Sequence, residues 1–139
     1  MKPPMKLTVC WCDSGRAFNR CCGPLLNLSA QPKTAKQLMR SRYTAHTCGG
    51  YGDYLLATWH PNYRTGLDAA ALSMKTTNWQ SLNIIDSGQD HDSAFVEFVA
   101  RFLESTGEAG VHHERSCFQR IGGRWYYVDG TVSNEDQNN

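Results

Sequence analysis

The most regular hydrophobic pattern in the chain runs from Ser93 to Leu103. Ala94, Val96, Phe98, Ala100 and Phe102 alternate there with Phe95, Val99 and Leu103. Period-two alternation predicts a β-strand, and apolar residues on both faces predict a long, central one. Shorter alternating runs predict strands at Trp79–Ile85, Val111–Arg120 and Arg124–Asp129. Asp86-Ser87-Gly88-Gln89-Asp90 predicts a turn, Gly107 and Gly110 mark another, and Gly122-Gly123 predicts a hairpin. Upstream of Asn78 the spacing becomes helical. Ala35, Leu38, Met39, Arg42 and Ala45 share one face of a helix over 34–47, with Thr34 and Gln37 in capping-box positions and Gly49-Gly50 at its end. A shorter helix over 53–59, with Asp53 as N-cap, must end ahead of Pro61. A third, over 66–75, follows Thr65 and contains the helix-forming run Ala69-Ala70-Ala71-Leu72. Helices first and antiparallel strands second predict an α+β fold, with helices packed on one face of a curved sheet.

The ends of the chain do not fit this pattern. Residues 1–29 carry neither periodicity over a useful length, and a piece so short needs a staple to fold. Residues 133–139, Ser-Asn-Glu-Asp-Gln-Asn-Asn, offer nothing to bury and predict a disordered polar tail. The reading is therefore a small unit at 1–29, an α+β domain at 30–132 and a tail. No stretch approaches the roughly 20 apolar residues that a membrane helix needs. The charged start, Met1 to Lys6, has no apolar run behind it, so no secretory leader is expected. That points to a cytoplasmic protein with reduced thiols.

The net charge of +1 hides two opposed halves. Residues 1–65 hold nine Lys/Arg against two Asp/Glu, and residues 66–139 hold five against eleven. A patch around the N-terminal basic residues is suited to RNA, ribosomes or an acidic protein surface.

Four of the six cysteines, Cys10, Cys12, Cys21 and Cys22, fall within 13 residues, separated by the turn-forming Asp13-Ser14-Gly15. Four thiolates so close can surround one tetrahedral ion at about 2.3 Å, and the binding energy would fold a segment that has no core. Disulfides are disfavoured by the missing leader, and iron–sulfur ligation by the adjacent pair. A structural Zn2+ is the expected cofactor. Cys48 and Cys117 are solitary, and Cys117 is expected to be a small core residue within its strand.

Together with Ser14-Gly15, Phe18 and Gly23, this cysteine spacing resembles the SEC-C motif, a small zinc-binding hairpin. The remainder resembles the YchJ-like family, which joins that motif to a cystatin-like, or nuclear-transport-factor-two-like, domain. The strings that carry the resemblance are Leu38-Met39-Arg40-Ser41-Arg42-Tyr43, Asp53-Tyr54-Leu55, Thr58-Trp59-His60-Pro61, Phe98-Val99-Ala100-Arg101-Phe102, Glu114-Arg115-Ser116 and Trp125 to Thr131. The resemblance implies zinc at Cys10, Cys12, Cys21 and Cys22, and no reaction. It implies a docking role only by analogy, since the motif in the preprotein translocase ATPase meets partner proteins and ribosomes. Trp11 and Asp13 stand where the motif usually has Pro and Gly, and Asp13 lacks the backbone freedom of glycine. No cysteine follows Cys117 to form the second motif that some relatives carry.

A domain of this class can enclose a pocket between sheet and helices. Arg40, Tyr43, Trp59, His60, Glu114, Arg115, Trp125 and Tyr127 are the candidates to line it. Alternation puts Glu114 and Ser116 on one strand face and His113 and Arg115 on the other. A buried Glu114 is expected to pair with Arg40 or Arg42, and His60 to close a helix end by donating to a carbonyl. Three functions are compatible with these features. The first is a non-enzymatic protein-interaction module using the knuckle, the second a small-molecule or enzymatic site in the sheet pocket, and the third ribosome or RNA association through the basic half.

Overall fold

The computed structural model of the chain describes residues 9–133. Its frame is a curved four-stranded antiparallel sheet ordered β1 (Asn78–Asp90), β2 (Ser93–Leu103), β3 (Ala109–Ile121) and β4 (Arg124–Ser133). As the alternation requires, β2 is interior and turns Val96, Phe98 and Ala100 into the core. The helices cover only that face. Phe95, Glu97 and Val99 on the other side are therefore half-buried. Bulges between Trp79 and Ser81, between Ile84 and Asp86, and between Cys117 and Phe118 bend the sheet.

Four helices precede it: α1 (Cys22–Leu26), α2 (Ala35–Cys48), α3 (Gly52–Ala57) and α4 (Ala69–Leu72). α2 is the spine. Thr34 Oγ1 accepts the Gln37 N–H at 3.0 Å, and Gln37 Oε1 reaches back to the Lys33 N–H at 2.6 Å. Its apolar face joins Leu38, Met39, Tyr43 and Ala45 to Leu55, Leu82, Val96, Phe98, Phe118 and Trp125 in one core, where a fully buried Leu or Val contributes about 1.5–3 kcal/mol.

Several sequence expectations change. The segment 86–90 is not a turn. β1 continues through it, pairing Asp86 with Glu97 and Gln89 with Ala94, and the chain reverses at His91-Asp92, where His91 adopts φ +58°. The helix expected over 66–75 shrinks to Ala69–Leu72, capped by Asp68 Oδ1 on the Ala70 N–H at 3.1 Å. The helix expected from Asp53 starts at Gly52, behind Tyr51. Ser133 belongs to β4 rather than to a tail, and residues 1–8 and 134–139 lie outside the described residues. The cysteine segment is not without helix, since α1 forms within it. Cys10, Cys12, Cys22, Leu25 and Leu26 share the core of the α+β domain.

Both sheet edges are engaged. At β4, the His60 N–H donates to the Tyr127 carbonyl at 2.7 Å and the Tyr127 N–H to the Thr58 carbonyl at 2.8 Å. At β1, Asp13 Oδ2 accepts the Leu82 N–H at 2.8 Å. An edge so occupied cannot template pairing with another chain there. Among the described residues, no helix is long and apolar enough to cross a membrane.

Candidate metal centre and sheet cavity

A tight hairpin creates the cysteine site. Val9 bridges Ala17, and the Cys10 N–H donates to the Arg16 carbonyl at 2.7 Å. Asp13 turns the chain at φ +63° and Gly15 at φ +85°. The departure from the motif at Asp13 thus keeps the left-handed turn that glycine would favour, and its carboxylate ties the hairpin to β1. The other departure, Trp11, packs edge-on against Phe18 with centroids 5.8 Å apart.

The sulfurs of Cys10, Cys12, Cys21 and Cys22 all lie within 4.8 Å of one another, and all six cysteines are free thiols. Four sulfurs bound tetrahedrally at about 2.3 Å stand about 3.8 Å apart, so the set fits one ion with little adjustment. The surroundings favour thiolates. The Thr44 hydroxyl donates to Cys22 Sγ at 3.3 Å, and the Ser14 hydroxyl lies 3.2 Å from Cys21 Sγ. Without a cation Cys12, Cys21 and Cys22 hold their protons unequally. Hydrogen bonds with Cys10 and Cys22 push the Cys12 thiol down, those with Cys10 and Cys12 push Cys22 up, and burial raises Cys21. A divalent ion held by Cys10, Cys12, Cys21 and Cys22 would resolve that imbalance by favouring the thiolate form of each. α2 supports the site one turn apart, with Thr44 against the sulfurs and Arg40 Nη1 donating to the Cys12 carbonyl at 2.6 Å. Sequence reasoning missed Thr44, which nothing in the local pattern singles out.

Beside this centre runs a groove of about 510 Å³, walled by Cys21, Cys22, Pro24 and Leu25 and lined by Arg16, Arg20, Lys33, Lys36 and Arg40. No Asp or Glu lines it. Among the described residues, none of the five cations forms an ion pair.

A second concavity, of about 330 Å³, lies between α2 and the inner sheet face. Four of the eight candidates line it: Tyr43, Trp59, Glu114 and Tyr127. Arg40 faces the cysteine hairpin instead. Arg115 is on the outer face, stacked 3.6 Å from the Phe95 ring centroid and bonded to Glu97 at 3.3 Å. Trp125 is buried in the core, with a separate depression beside α1. His60 is buried too and caps a helix end as expected, but its side chain does so by accepting an N–H rather than by donating to a backbone carbonyl. Its Nδ1 accepts the Asn62 N–H at 3.0 Å, which leaves Nε2 to donate to Gln119 Oε1 at 2.7 Å. Cys117 is exposed on the uncovered outer face rather than in the core.

Glu114 is the polar centre of the cavity. Oε1 accepts from His112 Nε2 at 2.8 Å, and Oε2 accepts from the Ser116 hydroxyl at 2.7 Å and the Tyr127 hydroxyl at 3.1 Å. Burial alone would raise its pKa, but the His112 and Ser116 bonds outweigh it and hold the carboxyl below its ordinary value. The expected ion pair with Arg40 or Arg42 is not formed: among the described residues Glu114 is paired with His112, and Arg42 acts on it only through space. Arg42 is 5% exposed, donates from Nη1 to the Leu55 carbonyl at 2.8 Å and to Thr58 Oγ1 at 2.6 Å, and lies over the Trp59 and Tyr127 rings at 5.0 and 4.7 Å. Burial lowers its pKa to about 10, and electrostatic attraction to Tyr127, Tyr54 and Glu114 offsets part of that. His112 sits 5.8 Å from Trp79 and 6.0 Å from Phe98, and His46 lines the same space. His113 is on the far face with Glu97, so the two adjacent histidines do not form a common metal site.

Comparison with known proteins agrees with this architecture. The SEC-C motif matches residues 9–24, and the profile of the YchJ middle NTF2-like domain matches residues 34–130. A UPF0225 protein of Sodalis glossinidius is 44% identical over 126 residues, covering 87% of this chain and 81% of the relative. One from Bordetella parapertussis is 44% identical over 135 residues, covering 94% and 98%. The solution structure of a SEC-C motif containing protein from Rhodopseudomonas palustris superimposes with a TM-score of 0.83 at 34% identity, covering 91% of this chain and 99% of that one. A cysteine hairpin matching the SEC-C motif, fused through its sulfurs and Asp13 to a matching NTF2-like sheet, makes this chain a member of the YchJ-like, UPF0225 family.

Proposed function

We propose that the protein is a zinc-binding, non-enzymatic interaction module, in which Zn2+ held by Cys10, Cys12, Cys21 and Cys22 shapes a groove that takes an acidic polypeptide segment. The observation that carries the reading is the lining of that groove: five cations, no acid, and two of the metal-site cysteines in its wall. A zinc tetrathiolate contributes about two negative charges, which weakens the positive field without cancelling it. Loss of the ion would release the wall, so recognition would depend on metal. Every residue that lines the groove comes from the basic half of the chain.

The test uses an octaglutamate peptide and poly(U) RNA as probes on the zinc-loaded full chain. Peptide binding that weakens with rising salt and is lost in both Lys33→Glu/Lys36→Glu and Cys12→Ser/Cys21→Ser supports the reading. Preference for poly(U) at equal charge, or peptide binding untouched by both variants, overturns it.

A further inference from the structure

The sheet cavity holds more polar order than packing requires, and it is remote in role from the basic groove. Glu114 already accepts three hydrogen bonds, from His112, Ser116 and Tyr127. A carboxylate offers about four acceptor sites, so one is left. In the neutral imidazole, the nitrogen that bonds a carboxylate carries the proton, which makes Nδ1 of His112 an acceptor. None of the described residues hydrogen-bonds it. The polar end of the cavity is therefore rich in acceptors and asks for a donor. Space for the carboxylate is built in, since a Cβ on Gly130 would collide with Glu114 Oε2.

Charge narrows the class of ligand. Glu114 would attract a cation and Arg42 would repel it, while an anion meets the reverse. The two charges offset each other, and an uncharged molecule meets neither penalty. Trp59, Trp79 and Phe98 supply aromatic walls, and about 330 Å³ lies at the lower end of the range of small-molecule sites. We propose that this cavity binds a small, uncharged aromatic molecule that donates a hydrogen bond to the Glu114–His112 pair.

The experiment is an amide NMR titration of the zinc-loaded full chain with phenol and with anisole, which has the same ring but no donor. Phenol should saturably shift the amides of Phe98, His112, Glu114 and Tyr127, with affinity at least about tenfold above that for anisole. Glu114→Gln should lower phenol affinity by about tenfold and bring the two probes level. Thr76→Trp, at an exposed position on the rim, should block both probes while the melting temperature shows an intact fold. Absence of saturable shifts at the cavity amides, equal binding of phenol and anisole to the unmodified protein, or undiminished phenol binding by Glu114→Gln each overturns the proposal. Failure of the octaglutamate test leaves these outcomes unaffected, because the two sites share no residue.

Discussion

Asp13 gives the sharpest prediction, because one side chain performs two opposed tasks. Its backbone sits at φ +63°, a region that costs an ordinary L residue about 1–2 kcal/mol and an aspartate somewhat less. Its carboxylate accepts the N–H of the buried Leu82 at 2.8 Å, and a bond to a charged acceptor contributes about 1.5–3 kcal/mol. Asp13→Ala keeps the strain and loses the bond, so it should destabilise by about 2–3 kcal/mol. Asp13→Gly loses the bond but relieves the strain, so the net loss should be about 1 kcal/mol. Urea unfolding at pH 7 and fixed free zinc measures both. Amide exchange at Leu82 reads the bond directly and should accelerate in both variants. If Asp13→Ala proves as stable as the unmodified protein or more so, the bond contributes nothing and the account of this departure from the motif is wrong.

Removing the buried guanidinium with Arg42→Met should cost about 1–3 kcal/mol by thermal or urea melts, because it removes the hydrogen bonds to the Leu55 carbonyl and Thr58 Oγ1 and the cation over the Trp59 and Tyr127 rings. Glu114 has a folded-state pKa held below its unfolded value, so its stabilisation is present above pH of about 4.3 and is lost as pH falls through the folded pKa. The stability gap between the unmodified protein and Glu114→Gln should accordingly narrow below that pH and hold steady from there to pH 7. In thiol titration of the zinc-loaded protein, Cys48 and Cys117 should react promptly and the other four only after chelation.

What the sequence made legible followed from local periodicity, and what it hid depended on distant contacts. Alternation placed β2 and put Glu114 with Ser116 correctly, since neighbouring strand residues must diverge. Asp86 to Asp90 are turn formers by type, yet cross-strand pairing with β2 holds them extended. The alanine run of α4 had propensity but no buried face, so only one turn survives. Arg40 and Arg42 were not distinguishable in role from a string. Two residues apart on a helix they face different directions, one to the cysteine hairpin and the other to the cavity. Cys117 lies between the buried Ser116 and Phe118 on its strand, so it faces outward, where no helix covers the sheet. The four sulfurs were legible because their spacing alone brings them together. Their hydroxyl donor Thr44, on α2, is 22 residues from Cys22.

Cobalt substitution tests the central claim most directly, that the four cysteines hold one ion as a set. Titrating the reduced, metal-free protein with Co2+ should saturate at one ion per chain, with the intense visible bands of tetrahedral all-sulfur ligation. Zn2+ should bleach those bands stoichiometrically, and Cys12→Ser/Cys21→Ser should not form them. Weak bands typical of six-coordinate oxygen ligation, or a titration unchanged by the double substitution, would contradict the account.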